Sequence, residues 1–501
     1  MPRKKTKSKT TKKKTTKRKP ARKKTTKKKT PAKKKTKRKT TTKKKKKTAK
    51  KTAATKKMKT AGDIRVNKKA KTPSLLRGMK DLLPKDEEYW LKMRHEAESI
   101  SNVYGYGKIE TPIMEEASLF VRSIGRGTDV VDKEMYIFED RDKTKIALRP
   151  EATASVMRSY ISHGMQTLPQ PVKVWYLGPM FRHDRPQAGR FRQFHQFGCE
   201  SIGGHDPVID AELIIIAYNF LKDLGINTTV HVNSIGTLDD RQNYIIELVG
   251  YLRSKRGYLC DDCKRRINKN PLRVLDCKQE QCQPVIEEAP QIIDWLSDKP
   301  KDFFMKVLEY LDELEVPYVL QSTLVRGLDY YTDTVFEFYE EDEEQKSQNA
   351  LGGGGRYNGL SEQIGGQETP GCGFALGLER IVSVMKKKEN KEENEEKKEV
   401  SNPIYFAQLG ELARRGALKM IEELRKQGYA VKHNLAKHSL KSQLELANKF
   451  GVKYCFILGQ KEIQDGTLIV RDMDSGIQEI IDQSQMMKKV ADIFDKHGKN
   501  I

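Results

Sequence analysis

The sequence predicts an α+β body, preceded by a basic tail that has no core and followed by a smaller α/β unit. Three observations carry that prediction. Residues 1–60 hold 33 Lys and Arg and no Asp or Glu, in repeats such as TKKKTTKRKP and ARKKTTKKKT. The segments VKVWYLGPMFR (172–182) and RFRQFHQFGCESIG (190–203) alternate in character on either side of an arginine-rich loop, as an antiparallel pair does. In the C-terminal part, strand-like runs alternate with helix-like runs, which indicates a mostly parallel or mixed sheet.

Residues 1–72 contain no aromatic side chain and cannot bury enough apolar surface to offset chain entropy, so they are expected to be disordered. Residues 1–60 alone carry +33 against a whole-chain net charge of +28, which leaves residues 61–501, the body included, mildly acidic at −5. That body, 73–386, opens near RGMKDLLPKDEEYW (77–90) and runs into a helix with Trp90, Met93 and Ile100 at its apolar positions. Pro112, inside the strand-like GKIETPIMEE (107–116), marks a strand edge or an interface, because proline donates nothing to a ladder. EMYIFED (134–140) and KIALRP (145–150) read as a hairpin, followed by a helix from about Ala152 to His163. DPVIDAELIIIAYNFLKDLG (206–225) has helical periodicity and a glycine stop.

Residues 236–316 read as a charged helical insertion with four of the seven cysteines, closing on the amphipathic KDFFMKVLEYLDELEV (301–316). Strand patterning resumes over YVLQSTLVRGLDYY (318–331) and VFEFYE (335–340), and the helix of GFALGLERIVSVMKK (373–387) ends the body. Residues 387–401, the end of the charged run MKKKENKEENEEKKEVS (385–401), read as a charged linker or a solvated helix, a boundary either way. Residues 402–501 supply the candidate strands IYFAQL, YAVKHN, KYCFILG and TLIVRD, with no GxGxxG and no P-loop among them.

No apolar run approaches the ~20 residues needed to span a bilayer, and the N-terminus lacks the apolar core of a secretory signal. Seven cysteines in so long a chain do not make a disulfide framework, so a reducing, cytoplasmic location is expected.

Four separated segments embed charge in apolar patterns: LRPEAT (148–153), FRHDRPQAGRFRQFHQFGCE (181–200), LVRGLDYYT (324–332) and GFALGLER (373–380). In the second, arginines interleave with Phe191, Phe194 and Phe197. A buried strand would not tolerate so many unpaired guanidinium groups, so these are expected to face a polyanion such as a nucleoside triphosphate or an RNA end, the other reading being an arginine-rich surface ion-pair cluster. Arg182, Arg326 and Arg380 each follow apolar residues and are expected to project from rigid structure onto a triphosphate. Glu151, Gln196 and Glu200 suit a small cationic or amphoteric substrate, and Tyr330 and Tyr331 offer a ring face and a hydroxyl to a planar ligand.

Together these segments resemble the class II aminoacyl-tRNA synthetases, and within them the bacterial-type histidine–tRNA ligase family, from about Leu76 to the C-terminus. The resemblance implies an antiparallel class II sheet with flanking helices and a helical insertion, plus a C-terminal anticodon-binding α/β domain. It implies activation of L-histidine with ATP and Mg2+, transfer to the 3′ end of tRNA(His), and a homodimer with GKIETPIMEE at its interface. By the same resemblance Arg182 and Arg326 meet the α-phosphate and act in catalysis, while Arg380 lies against the adenine and distal phosphates. Glu151, Ala152 and Thr153 would surround the α-amino group; Gln196, Glu200, Tyr330, Tyr331 and Tyr357 would enclose the carboxylate and imidazole. Arg185 and Gln187 would meet the tRNA acceptor end. The chain departs from the family pattern at Asn358, usually Asp, which weakens any role for that position.

Several motifs carry two readings. LGGGGRYNGL (351–360) is either a flexible turn or a backbone passing close to substrate, with Tyr357 lining the pocket. Cys260, Cys263, Cys277 and Cys282, spaced C-x2-C, thirteen residues, then C-x4-C, suit a structural zinc or are four reduced thiols. They lie outside the four charged segments, so the catalytic body is expected to outlast loss of zinc. The tail is expected to bind RNA or DNA nonspecifically through counterion release. Two other functions compete: a non-catalytic regulatory paralogue of the kind that partners an ATP phosphoribosyltransferase, and a nucleic-acid-binding protein with a vestigial synthetase body. The paralogue typically lacks the anticodon-binding domain and the arginine of LVRGLDYYT, both of which this chain has.

Overall fold

A computed structural model describes residues 72–186, 189–341, 350–392 and 404–497. The tail, most of the 387–401 linker and Gln187 lie outside the described residues.

An eight-stranded sheet forms the body, in the order Gly107–Lys108, Val172–Phe181, Gln193–Ile202, Gly371–Gly377, Gly352–Arg356, Thr332–Glu340, Thr228–Ser234, Tyr318–Leu320. Every pairing is antiparallel except the one at each edge. The predicted pair around the arginine-rich loop is its longest hairpin, Val172–Phe181 against Gln193–Ile202, in register from Val172 opposite Ile202 to Phe181 opposite Gln193. Helices Glu87–Val103, Pro207–Asp223 and Asp298–Glu313 pack on one face, where Trp90, Met93, Phe220, Phe304 and Leu311 are buried with Phe197, Phe336 and Phe374 of the sheet. Asp206 caps the second of these helices by accepting from the Val208 amide. The helix Thr153–Ser162, with Ala152 as its N-cap, falls within the predicted 152–163 stretch.

Three expectations are corrected, and one of the two readings of the glycine run falls. Residues 373–377 are strand, and the helix starts only at Leu378, because GCGFALG is too glycine-rich to hold a helix and fits between two close neighbours in the sheet. The glycine run is no flexible turn: Gly352–Arg356 is a central strand, and a Cβ on Gly353 or Gly354 would collide with backbone carbonyls of the strands beside it. Of YVLQSTLVRGLDYY only Tyr318–Leu320 is strand; beyond it the chain turns at Gln321–Leu324 and continues as a loop through Tyr331. The GKIETPIMEE stretch divides around Thr111–Ile113, sending Gly107–Lys108 to the large sheet and Met114–Glu116 to a small antiparallel sheet with Lys145–Leu148 and Ile137–Glu139.

The C-terminal unit is a mixed five-stranded sheet, Lys432–His433, Ile404–Gln408, Tyr454–Leu458, Thr467–Asp472, Gln478–Asp482. The first three strands run parallel and the last two antiparallel. The fifth strand has a largely exposed edge with little apolar alternation, so its pattern did not announce it.

Candidate active site

One cavity of about 630 Å3 lies over the sheet and brings together parts of all four charged segments. Its size suits a small ligand with a nucleotide. Glu151, Thr153, Arg182, Gln196, Arg326, Tyr330, Tyr331 and Arg380 line it.

The acidic end is built on a helix start. Thr153 and Ala154 donate their amides to the two oxygens of Glu151, at 2.7 and 3.0 Å, so the carboxylate sits on the N-terminus of Thr153–Ser162. Burial lifts the Glu151 pKa above the ordinary range, although the two amides and Arg182 pull against it. Glu200, only 1% exposed, lies one layer below on Gln193–Ile202. It accepts from Thr153 Oγ1 at 2.7 Å and from the Tyr357 hydroxyl at 2.5 Å, with the Tyr176 hydroxyl at 3.4 Å. Burial pushes the Glu200 carboxyl up to about 8 despite those bonds. Gly373 opposes it across the ladder, and a Cβ there would collide with its carboxylate.

Tyr357 therefore does not line the cavity as expected. It is buried behind Glu200, because the strand Gly352–Arg356 delivers it beneath the floor. Ala152 is likewise buried and outside the lining. The Tyr330 and Tyr331 rings stand 4.6 Å apart, and the Tyr330 hydroxyl reaches Glu151 at 3.5 Å. Gln196 Oε1 is buried without a hydrogen-bond partner, an acceptor left open to a ligand.

The basic end collects guanidinium groups. Arg182 stands just past the strand Val172–Phe181, donates Nε to Pro150 O at 2.8 Å and lies 5.4 Å from the Phe194 ring centre. Arg380 sits in the first turn of Leu378–Glu392 and donates to Ala350 O. Burial and then the nearby Arg190 and Arg182 lower its pKa to about 10, so positive charge here is under-compensated. Glu379, beside it, accepts from the His195 amide at 2.9 Å and pairs with its Nδ1 at 2.8 Å, which ties the helix start to the hairpin. Arg326 lies on the 321–331 loop rather than on a strand. Its guanidinium is 5.5 Å from the Tyr331 ring centre and pairs with Glu337, while its Nε is buried without a partner. Burial opposes its charge, but Tyr331 and Glu337 outweigh that and hold its pKa above the ordinary value. Arg185 is exposed on the 182–192 loop and is not part of the lining.

Sequence reasoning missed three supporting groups. Glu337 and Tyr339 share one face of Thr332–Glu340, opposite Phe336 and Phe338, and the Tyr339 hydroxyl donates to Glu337 at 2.6 Å. Two polar residues at period two in a central strand were the available signal. Arg149 is buried and bonds Thr111 O at 2.8 Å and Pro179 O at 2.9 Å, joining the segment around Pro112 to the hairpin. Arg356 and Asp210 form a fully buried ion pair behind the glycine strand. Asn358 fits beside them: it accepts from Arg356 at 3.3 Å and donates to Asp333 at 3.0 Å, where an aspartate would repel Asp333.

The insertion reaches the same cavity. Cys260, Asp262, Arg266, Arg273, Cys277 and Lys278 belong to its lining, so the cysteines, remote in sequence from the charged segments, are not remote in space. The sulfur atoms of Cys260, Cys263, Cys277 and Cys282 all lie within 4.8 Å of one another.

An antiparallel sheet roofed by helices, carrying such a split cavity and joined to a separate mixed α/β unit, is the fold of a class II aminoacyl-tRNA synthetase. The family profile described as Histidyl-tRNA synthetase matches residues 78–381, and that described as Anticodon binding domain matches residues 404–493. A histidine–tRNA ligase of Dehalococcoides mccartyi is 44% identical over 416 residues, covering 83% of this chain and 98% of the relative. One from Halothermothrix orenii is 46% identical over 403 residues, covering 80% and 95%. The crystal structure of apo Staphylococcus aureus histidyl-tRNA synthetase superposes with a TM-score of 0.67 at 33% identity, over 83% of this chain and 99% of that one. The chain belongs to the histidyl-tRNA synthetase family. It uses ATP and Mg2+ to activate L-histidine to histidyl-adenylate and transfers the histidyl group to the 3′ end of tRNA(His). Neither the regulatory-paralogue reading nor the vestigial one is favoured. Among the described residues, no helix is long and apolar enough to cross a membrane.

Proposed function

We propose that Arg182, Arg326 and Arg380 take the triphosphate while Glu151 and Thr153 hold the α-ammonium group, which turns the histidine carboxylate toward the α-phosphorus. One observation carries this reading: a single cavity is divided into a guanidinium end, where Arg380 is crowded by Arg182 and Arg190, and a carboxylate end at Glu151 with Glu200 beneath it. A zwitterion joined to a polyanion matches that division. A carboxylate oxygen of histidine forms the new bond to the α-phosphorus as the bond to pyrophosphate breaks, and the charge gathering on the phosphoryl oxygens is met by Arg182 and Arg326. The imidazole lies toward Glu200, Tyr330 and Tyr331, with Tyr357 orienting Glu200 from behind. Paired polar groups reject side chains that would leave them unsatisfied. Arg185, which is exposed, and Gln187 meet the tRNA acceptor end.

The wider assignments follow from the same reading. Residues 73–386 are the catalytic domain with its insertion, and residues 402–501 bind the anticodon. The enzyme is a cytoplasmic homodimer; Ile113, Met114 and Ile137, on or beside the small sheet, are exposed at 43, 54 and 46%, which supports an apolar interface in this region. The tail attracts RNA or DNA through its lysines. The four clustered thiols hold a structural zinc: Cys260 and Cys277 Sγ are 3.9 Å apart, near the ~3.8 Å edge of a tetrahedron with Zn–S bonds of about 2.3 Å.

Arg326→Ala tests the assignment. Removing a preorganised charge from the transition state is expected to lower histidine-dependent pyrophosphate exchange by on the order of 10²–10³ while the chain stays folded. Near-normal exchange in that variant overturns it.

A further inference from the structure

We infer that the cysteine cluster is a metal latch on the Arg326 loop, so that zinc bound in the insertion sets the rate of adenylate formation. The inference rests on the zinc reading above and extends it from scaffold to catalysis.

The sulfurs are arranged to be thiolate ligands. The Cys260 amide donates to Cys282 Sγ at 3.2 Å, and the Cys263 amide donates to Cys260 Sγ at 3.4 Å. The second of these bonds caps the helix Asp261–Lys269, where the free amides favour negative sulfur. Outer hydrogen bonds of this kind orient metal ligands.

Between Cys263 and Cys277 the chain forms a hoop that grips the catalytic loop. Asn270 Nδ2 donates to Asp329 Oδ1 at 3.1 Å, within the segment carrying Arg326, Tyr330 and Tyr331. Arg273 covers Gly327, the residue after Arg326: a Cβ there would come within 3.2 Å of Arg273 Nη1. Arg266 binds Asp129 at 3.1 Å, and Arg273 lies 3.9 Å from the same carboxylate. Asp129 and Val130 line the same cavity as Arg326 and Gly327, and the Asp329 amide donates to Ile124 O at 3.1 Å. Residues 327–329 therefore touch both the 124–134 segment and the hoop, while Asn233 Nδ2 holds Ser322 O and Leu324 O and Arg241 holds Tyr331 O.

The hoop consists of Asp261–Lys269 and Leu272–Leu275, helices too short to be stable by themselves; Ile267, Val274 and Leu275 bury it against the core of the insertion, and the cysteines close its ends. Four zinc–sulfur bonds close it at both ends, from Cys260 and Cys263 to Cys277 and Cys282. Loss of the metal frees Asn270 and Arg273, and with them the backbone position of Arg326. Because Arg326 acts on the transition state, the loss falls on kcat more than on KM.

The test uses the full-length enzyme purified without chelator. Zinc is measured, then removed by chelation and buffer exchange, then restored with zinc salt alone. The expected result is one zinc per chain. Its removal should lower kcat for histidine-dependent pyrophosphate exchange about tenfold or more, as a misplaced catalytic group does, with much smaller changes in KM for histidine and ATP. Amide hydrogen exchange across 324–331 should quicken on removal, and zinc should reverse both effects. The double variant Asn270→Ala/Arg273→Ala should keep its zinc and show the same kcat defect, which separates the latch from folding of the metal site. Only traces of zinc in the purified protein would overturn the zinc reading itself. A stoichiometric zinc whose removal changes neither kcat nor loop exchange, or full activity in the double variant, would overturn the latch alone.

Discussion

Replacing Glu200 by glutamine should make the histidine-free enzyme more stable at alkaline pH and, at the same time, a poorer binder of histidine. Burial raises the Glu200 pKa from 4.5 to about 8. At about 1.4 kcal/mol per pKa unit, that difference is worth ~5 kcal/mol. The sign follows from proton counts. Between pH 4.5 and 8 the folded chain keeps a proton that the unfolded chain has released, so folding is disfavoured as pH rises. The penalty is absent below pH 4.5 and fully present above pH 8. The substituted amide does not titrate, and it can still meet Thr153 and Tyr357, whose hydroxyls can change role from donor to acceptor. Imperfect replacement of those bonds costs on the order of 1–2 kcal/mol. The Glu200→Gln variant should therefore be slightly less stable than the parent near pH 5 and more stable by about 3 kcal/mol near pH 9. Chemical denaturation of both proteins from about pH 5 to 9, at fixed concentration and without ligands, reads the difference directly. A difference that is flat across this range would refute the buried, proton-holding carboxyl, and unchanged histidine affinity would place the imidazole elsewhere.

Two further outcomes are expected. Asp210→Asn leaves Arg356 fully buried without its counter-charge and should cost about 3–5 kcal/mol, read as a lowered melting temperature; a shift too small to measure would show that Asp333 already compensates Arg356. Deleting residues 1–70 should leave pyrophosphate exchange unchanged, since that step needs no RNA, and should flatten the salt dependence of tRNA binding by roughly 0.7–0.9 log units per lost lysine–phosphate contact. An unchanged slope would mean that the tail does not touch nucleic acid.

The chemistry of the site was more legible than its geometry. Arg182, Glu151, Gln196 and Tyr331 stood out because polar groups interrupt apolar patterns, and the cavity brings them together. Glu337 stayed hidden among the aromatics of VFEFYE, since an acid in a strand reads as a solvent face until the partner sheet and loop are known. The strand at Gly371–Gly377 was misread because glycine spacing dictated by close strand approach and by Glu200 is a tertiary requirement, invisible to local periodicity. The loop at 321–331 was mistaken for strand for the converse reason: its apolar residues Leu324, Val325, Tyr330 and Tyr331 are buried by the insertion and hairpin, without a ladder. Sequence distance also concealed the cysteines' place at the cavity wall.

The central claim is that this cavity activates histidine, and pyrophosphate exchange by the full-length protein with each of the twenty amino acids tests it most directly. The account predicts rapid exchange with L-histidine and Mg2+-ATP, and exchange near background with the other nineteen, including asparagine and glutamine, whose amides are closest to the imidazole in shape. Exchange driven equally well by another amino acid, or none with histidine, would contradict it.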